Sequence, residues 1–144
     1  MTTQASNKLK YLLANKVIDF ANDSFKIILM KSGFVFNRAT HHAYADVSAS
    51  ELATAYGYTA DTKTLASVTV TEDDTNNWTL VTWAAAVWNA SGGAIGPSPG
   101  AIIYDDTPTT PTANPIVGYI DFGGDQTQVD GGAATISNIS VKVG

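Results

Sequence analysis

The chain has 144 residues, of which 44% are hydrophobic and 15% charged, and no cysteine. That composition suits a single domain of ordinary size and excludes disulfide frameworks, thiolate metal sites and cysteine nucleophiles. A formal net charge of −5 argues against a nucleic-acid partner, because phosphate recognition relies on clustered Lys and Arg.

In chain order, Met1-Thr2-Thr3-Gln4-Ala5-Ser6 shows neither the basic leader nor the apolar stretch of a signal peptide. Ser6 is placed to cap a helix in which Leu9, Leu12, Leu13 and Val17 recur at helical spacing, with Lys8, Asn15 and Lys16 off that stripe. A single domain over 1–144 is expected, with an N-terminal arm and helix over 1–18 and a β body over 19–144. Asp19 to Asp23 reads as a turn. Phe25 to Met30 reads as a strand with Phe25, Ile27 and Leu29 on one face and a half-apolar second face. Ser48-Ala49-Ser50-Glu51 matches a capping box, which predicts a short helix near 49–56 ended by Gly57.

Beyond residue 60, Thr, Val, Ile and Trp in period-two order predict strands at 64–72, 78–88, 100–105, 115–122 and 134–143. Gly, Pro, Asn and Asp clusters supply turns at 73–77, 89–99, 106–114 and 123–132. In the last strand the apolar phase changes from Ala134 and Ile136 to Ile139, Val141 and Val143, which predicts a β-bulge near Ser137-Asn138. The fold class is therefore mainly β: an antiparallel β-sandwich or jelly-roll-like body with an N-terminal amphipathic helix and one short helix. The apolar runs, such as 81–87, fall far short of the ~20 residues of a membrane span, so no membrane partner is expected.

The chemistry-bearing residues form no spaced motif. His41-His42 are the only histidines, and neighbours on an extended segment point to opposite faces, so structural hydrogen bonding is expected of them. Glu72-Asp73-Asp74, Asp105-Asp106, Asp121, Asp125 and Asp130 fall at predicted strand ends, where Asp commonly forms turns. They lack the calcium-loop pattern, and the serines lack a nucleophile-elbow context. No catalytic residue, metal or cofactor is expected. Gly92-Gly93 and Gly96 to Gly100 read as a flexible surface loop without phosphate-loop spacing, and Thr107 to Pro115 as a stiff, hydroxyl-rich excursion.

Trp78, Trp83 and Trp88 are spaced by five and so alternate faces along one strand. Trp83 is in phase with Val81, Ala85 and Val87 and is expected in the core. Trp88 falls on the other face, open either to a role as an exposed binding anchor or to burial under a second layer. Charge is unevenly placed. Residues 1–38 carry Lys8, Lys10, Lys16, Lys26, Lys31 and Arg38 against Asp19 and Asp23, whereas the remainder has two cations and eleven carboxylates. That dipole either orients the domain on an oppositely charged protein surface or marks a solvated helix. Lys8, Lys10, Lys16, Arg38 and Trp88 are the candidate contacts.

Several stretches together are similar to a family of small structural proteins of tailed bacteriophages. They are 15–20 leading to 23–29, Thr40-His41, Asp46-Val47, Glu51 with Gly57-Tyr58-Thr59-Ala60, Leu65, Val81-Thr82-Trp83, 101–107 and 116–126. The order covers nearly the whole chain. Residues 51–56 and the longer loop 89–99 depart from the family pattern, which bears on docking. The resemblance implies a non-enzymatic virion component on the capsid surface, made in the host cytoplasm. Its implied role is a head decoration, or cement, protein that is homo-oligomeric, binds the major capsid protein and stabilises the mature head. An alternative is a tail or fibre module presenting Trp88 and the Pro/Thr loop to a host glycan.

Overall fold

The computed structural model describes residues 1–144. The chain is mainly β, with strands β1 (Thr2–Ala5), β2 (Phe25–Leu29), β3 (Thr69–Asp73), β4 (Trp78–Thr82), β5 (Ala86–Asn89), β6 (Ile95–Asp105), β7 (Ile116–Gln128), β8 (Ala133–Ile136) and β9 (Ser140–Val143). Helix α1 is Lys8–Ala14, and the single turn α2, Tyr44–Val47, runs into a 3-10 turn at Ser48–Ser50. Three antiparallel sheets result, in the orders β1-β7-β6-β2, β3-β4-β9 and β5-β8. No helix is long and apolar enough to cross a membrane.

The four-stranded sheet is buried on both faces, as its near-continuous apolar runs 27–30, 101–104 and 116–120 require. Phe25, Ile27, Leu29, Ala101, Ile103, Val117 and Ile120 enter the main core with Leu9 and Leu12 of α1 and with residues of both smaller sheets. On the other face, Ile28, Met30, Ile102, Tyr104 and Tyr119 pack under Val47 and the half-buried Phe34, Phe36 and Tyr44. The segment 31–50 is thus a cover for a second apolar face. The half-apolar pattern seen along 25–30 is the trace of that cover.

The two smaller sheets are halves of one bent antiparallel ribbon. Thr82 stands opposite Ser140, and Ala86 opposite Ile136. Three residues on each strand therefore separate the two ladders, and Trp83 N–H still donates to Ile139 O at 3.0 Å. Because the break is matched, the register is the same on both sides. The expected one-residue bulge near Ser137-Asn138 is thus a symmetric kink, with Asn138 in the left-handed region at φ 55. The single strand expected over 78–88 is split by the same kink.

Other differences are local. Helix α1 stops at Ala14, short of the apolar stripe's end at Val17, because Lys16 takes φ 56. Val17 N–H donates to Leu12 O and Lys16 N–H to Leu13 O, a Schellman ending with Lys where Gly is usual. Ser6 Oγ accepts the N–H of Lys8 at 3.3 Å, the cap-like role expected of it. The helix expected near 49–56 does not form. Asp46 caps the earlier α2, accepting the N–H groups of His42 and Ala43, and Glu51 turns into the interior instead of closing a capping box. The expected loop 89–99 gives way to β6 from Ile95, β7 extends to Gln128, and β1 pairs with β7 where only an arm was expected.

Candidate functional site

At the N-terminal edge, Arg38 Nε donates to Ala5 O at 2.9 Å, and Asn7 N–H donates to Arg38 O at 3.0 Å. These two bonds lay the 37–41 loop beside the start of α1. Its imidazole holds the loop as well: His41 Nδ1 accepts the N–H of Asn37 at 3.1 Å, and the ring stacks on Phe34. A cleft of about 140 Å³ opens there, lined by Ala5, Ser6, Asn7, Leu9, Lys10, Arg38, Lys142 and Val143. Two expected contact residues, Lys10 and Arg38, meet in it, joined by Lys142 from the far end of the chain. Lys8 projects from the opposite flank of α1, as two residues on a 3.6-residue period must. Lys16 is exposed beyond the helix end.

Of the six cations in residues 1–38, only Lys26 is ion-paired, to Asp106 at 3.1 Å and Asp61 at 3.7 Å. Arg38 and Lys31 reach backbone carbonyls, and Lys8, Lys10 and Lys16 have no carboxylate partner. Their positive charge is left to solvent or to a partner surface.

Trp88 is a correction to the contact set. It is 4% exposed and packs with Tyr58, ring centroids 5.8 Å apart. The kink is the cause: it reverses the inward phase from Val81 and Trp83 to Ala86 and Trp88, leaving Val87 outside. Trp83 lies in the core against Phe20 and Phe25, as expected. Beside Trp88 lies a larger groove of about 470 Å³, whose lining includes Met1, Ile95, Phe122, Gln126 and Ile136.

The carboxylates divide into turn formers and two interior groups. Asp73 and Asp19 accept nearby backbone N–H groups, the turn chemistry expected at those positions, whereas Asp121, expected near a strand end, lies inside β7 and accepts the N–H of Gly123. Glu51 is buried, and its carboxylate accepts Tyr44 OH and Tyr58 OH, both at 2.7 Å, and the N–H of Asp61. Burial and the nearby Glu51 charge raise both tyrosine pKa values well above the ordinary range. Tyr104 OH in turn donates to Asp61, so the 44–61 loops are pinned to the sheet through one polar chain. Capping-box spacing masked this role; the tyrosine seven residues after Glu51 is the only cue the sequence offers.

Asp105 is fully buried at the end of β6, with the Thr107 N–H on Oδ1, no hydrogen-bond partner on Oδ2, and the Asp23 carboxyl beside it. Burial, then hydrogen bonding to Asp23, pushes its pKa up to about 8. No three His, Asp or Glu side chains converge as a metal site would require. Comparison with protein-family models, curated proteins and solved structures finds no match to the chain.

Proposed function

We propose that this chain is a bacteriophage virion structural protein, a decoration or cement protein that binds the major capsid protein and stabilises the mature head. Its sheets would pack as a sandwich body, several copies would associate, and no catalysis is involved. The observation that carries the reading is the set of unpaired cations Lys8, Lys10, Lys16 and Arg38 on one N-terminal region of an otherwise acidic chain. Such a surface steers and orients the domain on an anionic protein wall, and a repeated shell multiplies weak contacts by avidity.

The sequence resemblance to tailed-phage structural proteins is the second ground for the reading. Its separate stretches meet in space: 23–25 lies against 105–107 through Ser24, Asp106 and Thr107, and Glu51 meets Tyr58. The glycan-binding alternative loses its aromatic anchor, because Trp88 is interior. A protein selective for the expanded shell stabilises that state by mass action. Two measurements test the proposal. Quantitative mass spectrometry of purified virions is expected to give a copy number equal to, or a simple fraction of, that of the capsid subunit. Shells carrying the protein are expected to melt at higher temperature; an unchanged transition or a copy number an order of magnitude lower sinks the decoration role.

A further inference from the structure

Strand β3 is the most exposed strand of the fold. Thr69, Val70, Thr71 and Glu72 are all exposed, so neither face of β3 is covered, and β3 has a neighbour on one side only. An uncovered edge strand of this kind is open to association unless charge protects it. Its tip concentrates negative charge: Glu72, Asp73 and Asp74 surround a shallow depression with Asn77, Trp78, Thr79 and Val143. Glu72 and Asp74 make no ion pair or hydrogen bond within the chain, while Asp73 is engaged in its own turn.

The acidic tip and the basic cleft belong to one surface. Glu72 stands opposite Thr79 and Thr79 opposite Val143, and Val143 lines both the acidic depression and the cleft of Lys10, Arg38 and Lys142. At about 4.8 Å per strand step, Glu72 and Val143 are about 10 Å apart across the sheet. Lys142 Nζ is held over the Trp78 ring at 4.0 Å, which fixes a cation at the boundary between the two patches. Val143 is common to both linings, so the two patches adjoin along one edge of the sheet.

A surface with an acidic knob beside a basic cleft is complementary to itself under a two-fold rotation, because each knob then meets the other copy's cleft. We propose that the partner of this surface is a second copy of the chain, with the Glu72–Asp74 tip of each copy seated in the Lys10/Arg38/Lys142 cleft of the other. This interface would occupy Lys10 and Arg38, so that in the dimer Lys8, on the opposite flank of α1, and Lys16, beyond its end, are the cations left free for the proposed shell contact.

Sedimentation equilibrium of the full chain tests it. Dimers are expected at about 20 mM salt, with association weakened at least about tenfold at about 500 mM, where the screening length falls to a few ångström. The double variants Glu72→Lys with Asp74→Lys, and Lys10→Glu with Lys142→Glu, are each expected to be monomeric at low salt. An equimolar mixture of the two is expected to restore the dimer, since every reversed tip then meets a reversed cleft. That recovery also shows both variants to be folded. A monomeric wild-type chain at low salt, a dimer indifferent to the reversals, or a mixture that stays monomeric overturns the proposal.

Discussion

The carboxyl groups of Asp23 and Asp105 face each other at the end of the central sheet, and Asp105 lies fully buried. Burial leaves an Asp105 carboxylate poorly solvated, and the Asp23 carboxyl beside it adds to the penalty on its charge. With its folded pKa near 8 against an ordinary 3.8, Asp105 keeps a proton in the folded state that the unfolded chain releases above about pH 4. Its contribution to stability is therefore complete below the unfolded pKa and is lost as pH rises through about 8. Asp105→Asn keeps a donor toward Asp23 and removes the titration. Urea denaturation from pH 5 to 8.5 is expected to show wild-type stability falling relative to Asp105→Asn; parallel profiles would refute a protonated Asp105.

Glu51 and Tyr58 form the second interior pair. Tyr58 OH accepts the N–H of Leu29 at 3.0 Å while donating to Glu51, so one hydroxyl serves both a strand backbone and a buried carboxylate. Tyr58→Phe keeps the ring packing and leaves both partners short, a loss of about 1–3 kcal/mol. Glu51→Ala is expected to be more damaging than Tyr58→Phe, because Tyr44, Tyr58 and the Asp61 amide all lose their acceptor. Thermal melts of the variants check this order; a neutral Glu51→Ala would mean that the network does not brace the 44–61 loops.

The β class, β2 and the burial of Trp83 were legible because period-two apolar patterns report directly which face is covered. The kink was half legible. Its phase change shows in Ile136 against Ile139, but the matching change from Trp83 to Ala86 is hidden by Ala84 and Ala85, which fit either face. Only the two strands read as a pair reveal equal spacing, and pairing across fifty residues is not written in local pattern. Glu51 misled for a related reason: Ser48 and Glu51 satisfy a local capping rule, while Tyr44, Tyr58 and Asp61 offer the carboxylate better partners in the interior. The basic cleft needed Lys142, whose place beside Lys10 depends on β9 lying against β1.

Trp88 follows from the kink and makes a third test. As an interior residue its truncation, Trp88→Ala, is expected to cost about 3–5 kcal/mol. Fluorescence of a chain retaining Trp88 alone should be blue-shifted and poorly quenched by iodide. Ready quenching with little loss of stability would return Trp88 to the surface.

Lys16 separates a structural from a contact role by two readouts of opposite sign. Its φ of 56 at the Schellman ending of α1 is strained for any residue with a Cβ. Lys16→Gly removes that strain and is expected to stabilise the fold by about 1 kcal/mol, somewhat less once the greater freedom of glycine in the unfolded chain is counted. The same substitution deletes an exposed, unpaired cation from the proposed shell-facing region. Combined with Lys8→Gln, it is expected to weaken binding to purified shells and to flatten the salt dependence of that binding. A more stable protein that binds shells less well assigns Lys8 and Lys16 together to the contact. Unchanged shell affinity would remove Lys8 and Lys16 from it, and leave the left-handed lysine with no role that a glycine could not fill.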